Sequence, residues 1–213
     1  MQTTIYLIRH GQSQGNKQGV FLGHCDLPLT EQGIAQAQKT AAYLQTVPVD
    51  AIYASDLTRA YETACQTAIL RDMPITKNEN LREIYAGLWE NVAFSALTET
   101  FSENYSCWLT NIGRARCNGG ESVEELQTRI VSTLTDIAKR HEGQTVFVFT
   151  HATPIRVFAA HCLKKTVDEI KTVPWATNAS VTKAIFDGNA FSLLEYSKDD
   201  FMGDWVTKFP ANV

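Results

Sequence analysis

Two short runs without a polar residue, Ile5 to Ile8 and Val146 to Phe149, constrain this chain more than any other feature. Successive side chains of a strand point to opposite faces, so an unbroken apolar run is buried on both. Strands covered on both faces belong to mostly parallel sheets with helices above and below. Each run ends in a histidine-bearing loop, Arg9-His10 after the first and Thr150-His151 after the second. At 213 residues the chain is long enough for a sizeable core. It is expected to fold as one domain over 1–213, with 92–120 as a lid-like insertion.

Between and beyond these runs the apolar spacing becomes helical. Thr30 and Glu31 open a helix with Ile34, Ala37, Ala41 and Leu44 at three- and four-residue steps, and Pro48 lies just past its end. Ala51 to Ala54 is a further short strand, followed by a helix from about Leu57 to Leu70 with Ser55 or Asp56 as its cap. Ser122 and Glu125 fit a capping box ahead of Val123, Leu126, Ile130, Leu134 and Ile137, one face of a long helix. Thr153 and Pro154 stand as N-cap and first-turn residues of the helix after His151. Val181 to Phe186 and Phe191 to Tyr196 flank Asp187-Gly188-Asn189, the pattern of an antiparallel hairpin at the sheet edge. The less periodic segment Val92 to Gly119, with Phe94, Phe101, Tyr105 and Trp108, reads as short helices and loops over the sheet. The expected fold class is α/β, a three-layer α/β/α arrangement around a mostly parallel sheet with an antiparallel edge hairpin.

A net charge of −4 and a pI near 5.7 leave no overall basic footprint for nucleic acid or anionic lipid, so an anionic ligand must be gripped locally. No stretch approaches the roughly 20 apolar residues of a membrane span, and no signal-peptide pattern opens the chain. Cys25, Cys65, Cys107, Cys117 and Cys162 are odd in number and contain no C-x-x-C pair. That pattern suits buried thiols in the cytoplasm better than a disulfide framework or a zinc site.

Sheets of this kind bind ligands at the carboxyl ends of their strands. If the two apolar strands are parallel neighbours, His10 and His151 face one crevice. The crevice would also hold Arg9, Gly11 and Asn16 from the first loop and Arg59 from the first turn of the second helix. Two guanidinium forks, a glycine for close backbone approach and a helix N-terminus favour a phosphate, with no metal needed to neutralise it. An isolated Arg-His pair at a strand end is ordinarily a surface or packing feature; the ordered set is what favours function.

These residues resemble the histidine phosphatase superfamily, the fold shared with cofactor-dependent phosphoglycerate mutases. The likeness rests on Leu7-Ile8-Arg9-His10-Gly11-Gln12-Ser13 with Asn16, Gly23-His24-Cys25-Asp26-Leu27-Pro28-Leu29-Thr30 with Gly33, and Ser55-Asp56-Leu57 with Arg59-Ala60 and Thr63. Further blocks are Leu81-Arg82-Glu83 with Gly87, Trp89 and Glu90, then Gly119-Gly120-Glu121-Ser122, and Thr150-His151 with Ile155-Arg156. The resemblance implies that His10 is the nucleophile that becomes a phosphohistidine. It also implies that Arg9, Arg59, His151 and Asn16 hold the phosphoryl oxygens, beside Gly23 and Ala152, and that Glu83 is the general acid and then the base for water.

The chain departs from the family pattern at Ala152 and Thr153, where glycine is frequent, at Ala86, where an aromatic is usual, and at Asn91, where glycine is usual. The last two suggest a differently shaped acid loop with room beside the phosphate. His24, Ser13 and Gln12 are near enough to touch substrate, Trp89 reads as packing under the Glu83 loop, Arg156 as structural, His141 as a helix-end residue and His161 as helix packing. Trp108, Arg114 and Arg116 are candidate substrate contacts, although a solvated basic pair is equally expected for the arginines.

Only about 30 residues separate the Glu83 block from the next, and the longer mutase insertion is missing. The leading expectation is therefore a metal-independent phosphomonoesterase for a small phosphorylated metabolite, with no cofactor. A mutase-type phosphotransferase, which would need a bisphosphoglycerate primer, is the alternative; a non-catalytic phosphate-binding protein is the third. The aromatic tail from Phe201 to Phe209 could cap the sheet edge or mediate homodimerisation.

Overall fold

The computed structural model describes residues 1–207. Among them the strands are β1 (Thr3–Arg9), β2 (Val20–Phe21), β3 (Ala51–Ala54), β4 (Ile75–Lys77), β5 (Val92–Ala93), β6 (Thr145–Thr150), β7 (Val181–Phe186) and β8 (Phe191–Lys198). The α-helices are α1 (Gln14–Gln18), α2 (Glu31–Leu44), α3 (Thr58–Arg71), α4 (Phe94–Thr100), α5 (Ser102–Thr110), α6 (Val123–Arg140) and α7 (Ala152–Cys162). The main sheet runs β4-β3-β6-β1-β7-β8. Its first four strands are parallel, whereas β7 is antiparallel to β1 and β8 to β7. A separate antiparallel pair joins β2 to β5.

The two apolar runs lie side by side at the centre of this sheet, Ile5 opposite Val146 and Arg9 opposite Thr150. Their alternate side chains feed two cores. Ile5, Leu7, Val146 and Val148 pack with Leu126, Ile130, Leu134 and Ile137 of α6 and with Phe158 of α7. Tyr6, Ile8, Phe147 and Phe149 pack on the opposite face with Leu44 of α2 and Ala64 and Ala68 of α3. Helix layers on both faces therefore follow from strands with no polar side.

Local signals set most helix ends. Thr30 caps α2 through its hydroxyl, and Ser122 with Glu125 forms the expected capping box of α6. Three expectations need correction. Neither Ser55 nor Asp56 caps α3; the Asp26 carboxylate, 32 residues upstream, accepts the Thr58 backbone N–H at 2.7 Å and its hydroxyl at 2.8 Å. The N-cap of α7 is His151, and Thr153 lies inside the helix. Ile34 is 40% exposed, because the buried stripe of α2 runs instead through Gly33, Gln36, Ala37, Thr40, Ala41 and Leu44.

The segment from β5 through α5 is built into the larger core. Trp89 lies at its centre with no exposed surface, edge-on to Phe21, Tyr105 and Trp108 at 5.4, 5.5 and 6.0 Å. The tail begins by stacking Phe201 on Tyr43 at 4.2 Å; Phe209 lies outside the described residues. Among the described residues no helix is long and apolar enough to cross a membrane.

Candidate active site

The strand ends open into a cavity of about 320 Å³ whose floor is made by Arg9, His10 and Arg59. Asn16, Gly23, Glu83 and Ala152 also line it, so seven of the eight residues singled out from the sequence reach the wall. The eighth, His151, is fully buried beside His10, the two rings edge-on at 5.2 Å.

His10 is aimed by its own loop. Its Nδ1 lies 2.6 Å from the Gly11 carbonyl, which makes Nδ1 the protonated nitrogen and leaves the Nε2 lone pair uncommitted. The His10 carbonyl accepts from Asn178 Nδ2 at 3.0 Å and from the Ala179 backbone N–H at 3.1 Å. Asn178 also donates to Asn16 Oδ1 at 3.2 Å, and Ser13 N–H donates to the same oxygen at 3.1 Å. Asn16 therefore has both acceptor lobes used and its amide N–H groups left for the cavity. Burial, followed by the charges of Arg59 and Arg9, holds the His10 imidazole well below its usual range, so it is neutral at neutral pH.

The guanidinium groups are held by backbone carbonyls. Arg59 donates from Nη1 to Cys25 O and from Nη2 to Gly23 O, each at 2.8 Å, and Arg9 donates from Nη1 to Ala176 O at 2.6 Å. Burial pushes both down to about 10, still cationic at neutral pH. Thr63 ties α3 to the His10 loop, donating to Arg59 O at 2.7 Å and accepting from Gly11 N–H at 3.0 Å.

Gly11 serves a neighbour other than the expected one. A Cβ there would stand 2.4 Å from Gly33 O, and one on Gly33 would stand 2.1 Å from Gln12 O, so these glycines let the loop lie against the first turn of α2.

Ser55, read as a helix cap, instead reaches His151. Its hydroxyl accepts from Leu57 N–H at 3.3 Å and lies 2.9 Å from His151 Nε2, with both side chains fully buried. The hydroxyl proton then has Nε2 as its acceptor, which assigns the His151 proton to Nδ1. Among the described residues, that Nδ1 and Arg59 Nε are buried without a hydrogen-bond partner, a pattern that a bound anion would complete. Burial, then Arg59 and His10, hold His151 well below the usual imidazole range.

Glu83 enters from a loop between two single 3₁₀ turns, Glu79–Leu81 and Gly87–Trp89. Its Oε1 accepts from Ile84 N–H at 2.8 Å and its Oε2 from Thr153 N–H at 3.3 Å. Ala86 does not open space beside the cavity: it is buried against Gly23, where a Cβ would stand 2.5 Å from its own. Asn91 keeps the left-handed turn that glycine would supply, with φ 61°.

Of the other named residues, Gln12 and Trp108 line the cavity. Ser13 caps α1, and His24 Nε2 donates to Glu83 O at 2.9 Å. Arg114 pairs with Asp168 at 2.6 Å and Arg116 with Glu125 at 2.5 Å, both away from the cavity wall. Arg156 stacks on Trp175 at 4.2 Å, His141 lies 3.0 Å from the Tyr53 hydroxyl, and His161 is exposed rather than packed. Cys117 is the buried cysteine; the other four are half-buried. Among the described residues no group of three His, Cys, Asp or Glu side chains could hold a metal.

A mostly parallel three-layer sheet with two neutral histidines and two buried arginines at its strand ends defines a class, the α/β phosphoryl-transfer proteins that work through histidine. A model of the histidine phosphatase superfamily (branch 1) matches residues 5–199. The chain belongs to that family, and it is a phosphoric monoester hydrolase of it. It is 32% identical to phosphoserine phosphatase 1 of Hydrogenobacter thermophilus over 77% of each chain. It is 32% identical to the adenosylcobalamin/alpha-ribazole phosphatase of Escherichia coli over 69% of this chain and 72% of that one. The structure of Bacillus stearothermophilus YhfR matches with a TM-score of 0.90 at 30% identity, covering 94% of this chain and 99% of that one. Proteins named as phosphoglycerate mutases or mutase-like also match.

Proposed function

We propose that the protein hydrolyses a small phosphorylated metabolite through a phosphohistidine on His10 Nε2. The observation that carries this reading is the Nδ1 to Gly11 O hydrogen bond, which turns the Nε2 lone pair of a neutral imidazole toward the cavity. Nε2 attacks phosphorus in line, the P–O bond to the substrate oxygen breaks, and that oxygen takes the proton carried by Glu83. Water then gives a proton to Glu83 and attacks the phosphohistidine, releasing inorganic phosphate and restoring His10. Arg9, Arg59, His151 Nδ1–H and Asn16 Nδ2 neutralise and orient the three equatorial oxygens, so the step needs neither metal nor cofactor. Relatives named for phosphoserine and alpha-ribazole phosphates support a small substrate, and the aromatic wall of Phe21, Phe94, Trp108 and Trp175 supports an apolar or planar portion on it. The odd cysteine count supports a cytoplasmic setting.

His10→Ala tests the mechanism. The variant is expected to lose turnover of p-nitrophenyl phosphate and of a phosphomonoester panel, and to form no acid-labile phosphoprotein. Full activity in that variant overturns the mechanism. Running the panel with and without bisphosphoglycerate tests hydrolysis itself, since primer-dependent transfer to a second hydroxyl would make the protein a mutase.

A further inference from the structure

The loop that carries Glu83 is neither helix nor strand, so something else must satisfy its backbone and fix its path. Arg129, in the middle of α6, does much of this. Its Nη1 donates to Asn80 O at 2.9 Å and to Arg82 O at 3.1 Å, and its Nη2 donates to Glu83 O at 3.2 Å. The same guanidinium is held by Glu121, through Nε to Oε1 at 2.9 Å and Nη2 to Oε2 at 2.8 Å. Glu121 itself brackets the far side of the loop. Its backbone N–H donates to Tyr85 O at 2.8 Å, and its Oε2 accepts from Tyr85 N–H at 3.2 Å. The two side chains are only 20% and 14% exposed, so the pair is shielded from screening.

One of these bonds bears on the chemistry. Glu83 O and Ile84 N–H belong to the same peptide unit, and in a planar trans peptide the C=O and N–H point in opposite directions. Arg129 Nη2 and His24 Nε2 both donate to that carbonyl, at 3.2 and 2.9 Å. On the other edge of the same plane, Ile84 N–H holds Glu83 Oε1 at 2.8 Å. Fixing the carbonyl fixes the N–H, and the N–H fixes the carboxylate.

We infer that the Glu121–Arg129 pair is a positioning device for the Glu83 carboxylate, acting with His24 through the Glu83–Ile84 peptide plane. The inference rests on the proposed acid role of Glu83. Arg129 touches no reacting atom; it sets where the proton donor stands. Lysine cannot replace it, because one ammonium group cannot span three carbonyls and a bidentate carboxylate together.

The test is the dependence of kcat/KM on leaving-group pKa, from nitrophenyl to alkyl phosphates, for wild type, Glu83→Gln, Arg129→Met, Arg129→Lys and Arg129→Met/Glu83→Gln. kcat/KM reports phosphoryl transfer to His10, the step in which the acid acts. Arg129→Met should lower kcat/KM about 10- to 100-fold on alkyl phosphates and no more than about 3-fold on p-nitrophenyl phosphate, consistent with losing a well-placed acid. Arg129→Lys should recover only part of the loss. In the Glu83→Gln background Arg129→Met should cause little further loss, since there is no acid left to place. An equal loss for every leaving group, or the same loss with and without the Glu83 carboxyl, overturns the inference while leaving the Glu83 reading intact. If Glu83→Gln alone shows no leaving-group dependence, the acid reading fails instead. Should Arg129→Met fail to fold, Glu121→Gln makes the same test, because it frees the guanidinium from its anchor.

Discussion

Gly33→Ala offers a sharp test of how the nucleophile is placed, because helix propensity and tertiary contact predict opposite outcomes. Gly33 lies in the first turn of α2, and alanine in a helix is ordinarily more stable than glycine by about 1 kcal/mol. Here the new Cβ would stand 2.1 Å from Gln12 O and 2.9 and 3.0 Å from Gln12 C and N, all backbone atoms. Bringing the first contact to the 3.4 Å of ordinary van der Waals approach requires about 1.3 Å of movement, the difference between 3.4 and 2.1 Å. Gln12 is two residues from His10, and its N–H is held by Gln36 Oε1 at 2.8 Å, so the loop cannot absorb the shift by swinging freely. Overpacking of this kind costs about 1–3 kcal/mol of stability, and a misplacement of about 1 Å in a catalytic group lowers the rate about 10²-fold, or roughly 2.7 kcal/mol in the barrier. The assay pairs kcat/KM on p-nitrophenyl phosphate with the urea midpoint. Gly19→Ala is the control: its φ of 70° makes alanine strained, but no atom lies within 4 Å of the new Cβ. It should lose about 1 kcal/mol of stability with the rate nearly unchanged. A Gly33→Ala protein that is more stable than wild type and equally active would refute the claim that this glycine pair seats the His10 loop.

Further outcomes follow from other contacts. Ser55→Ala removes the hydroxyl that assigns the His151 proton to Nδ1; ¹⁵N NMR of the imidazole should show a mixture of tautomers and orthovanadate affinity should fall about 10-fold, and an unchanged spectrum would oppose the assignment. His10 and His151 are both held well below the usual imidazole range by burial and nearby arginines. The unfolded chain therefore binds more protons as pH falls below about 6.5, and stability should drop by roughly 1 kcal/mol per pH unit for each histidine until the folded forms protonate. Urea midpoints between pH 7 and 5 measure this slope, and the same slope in a His10→Ala/His151→Ala protein would assign it to other groups. Asn91→Gly should be neutral or slightly stabilising at φ 61°, whereas Asn91→Ala should lose about 1 kcal/mol, as read by thermal melting; equal effects would argue against a conformational role.

What could be read from residues alone was governed by distance along the chain. The central strands, the buried face of α6 and its capping box depend on neighbours within a few positions, and they stand where the pattern placed them. The eight candidate residues stood out as a set because they occur as ordered blocks, and seven of them reach one cavity wall. The capping of α3 was not, since its carboxylate comes from Asp26 in another loop and nothing near Thr58 announces it. Ser55 looks like a cap from its position before a helix, yet its partner is His151, 96 residues away. Arg129 had no local mark at all: a charged residue in a helix usually faces solvent, and only the folded chain brings the Glu83 loop across it. Arg114 and Arg116, equally charged and nearer the aromatic segment, turn to Asp168 and Glu125 instead.

Arg59 is 1% exposed, its Nη atoms rest on two carbonyls, and among the described residues it is in no ion pair; Glu83 acts on it only at longer range. A buried cation without a contacting counter-ion makes the folded state less stable than it would be with an anion in place. Oxyanions that reach Arg59 should therefore raise the melting temperature with the logarithm of their affinity, adding about 2.7 kcal/mol of stability at one hundred times the dissociation constant. Unfolding becomes an assay for recognition that requires no turnover. A library of phosphorylated metabolites can be ranked by the heat each allows the protein to withstand, including compounds that the enzyme binds but cleaves too slowly to detect.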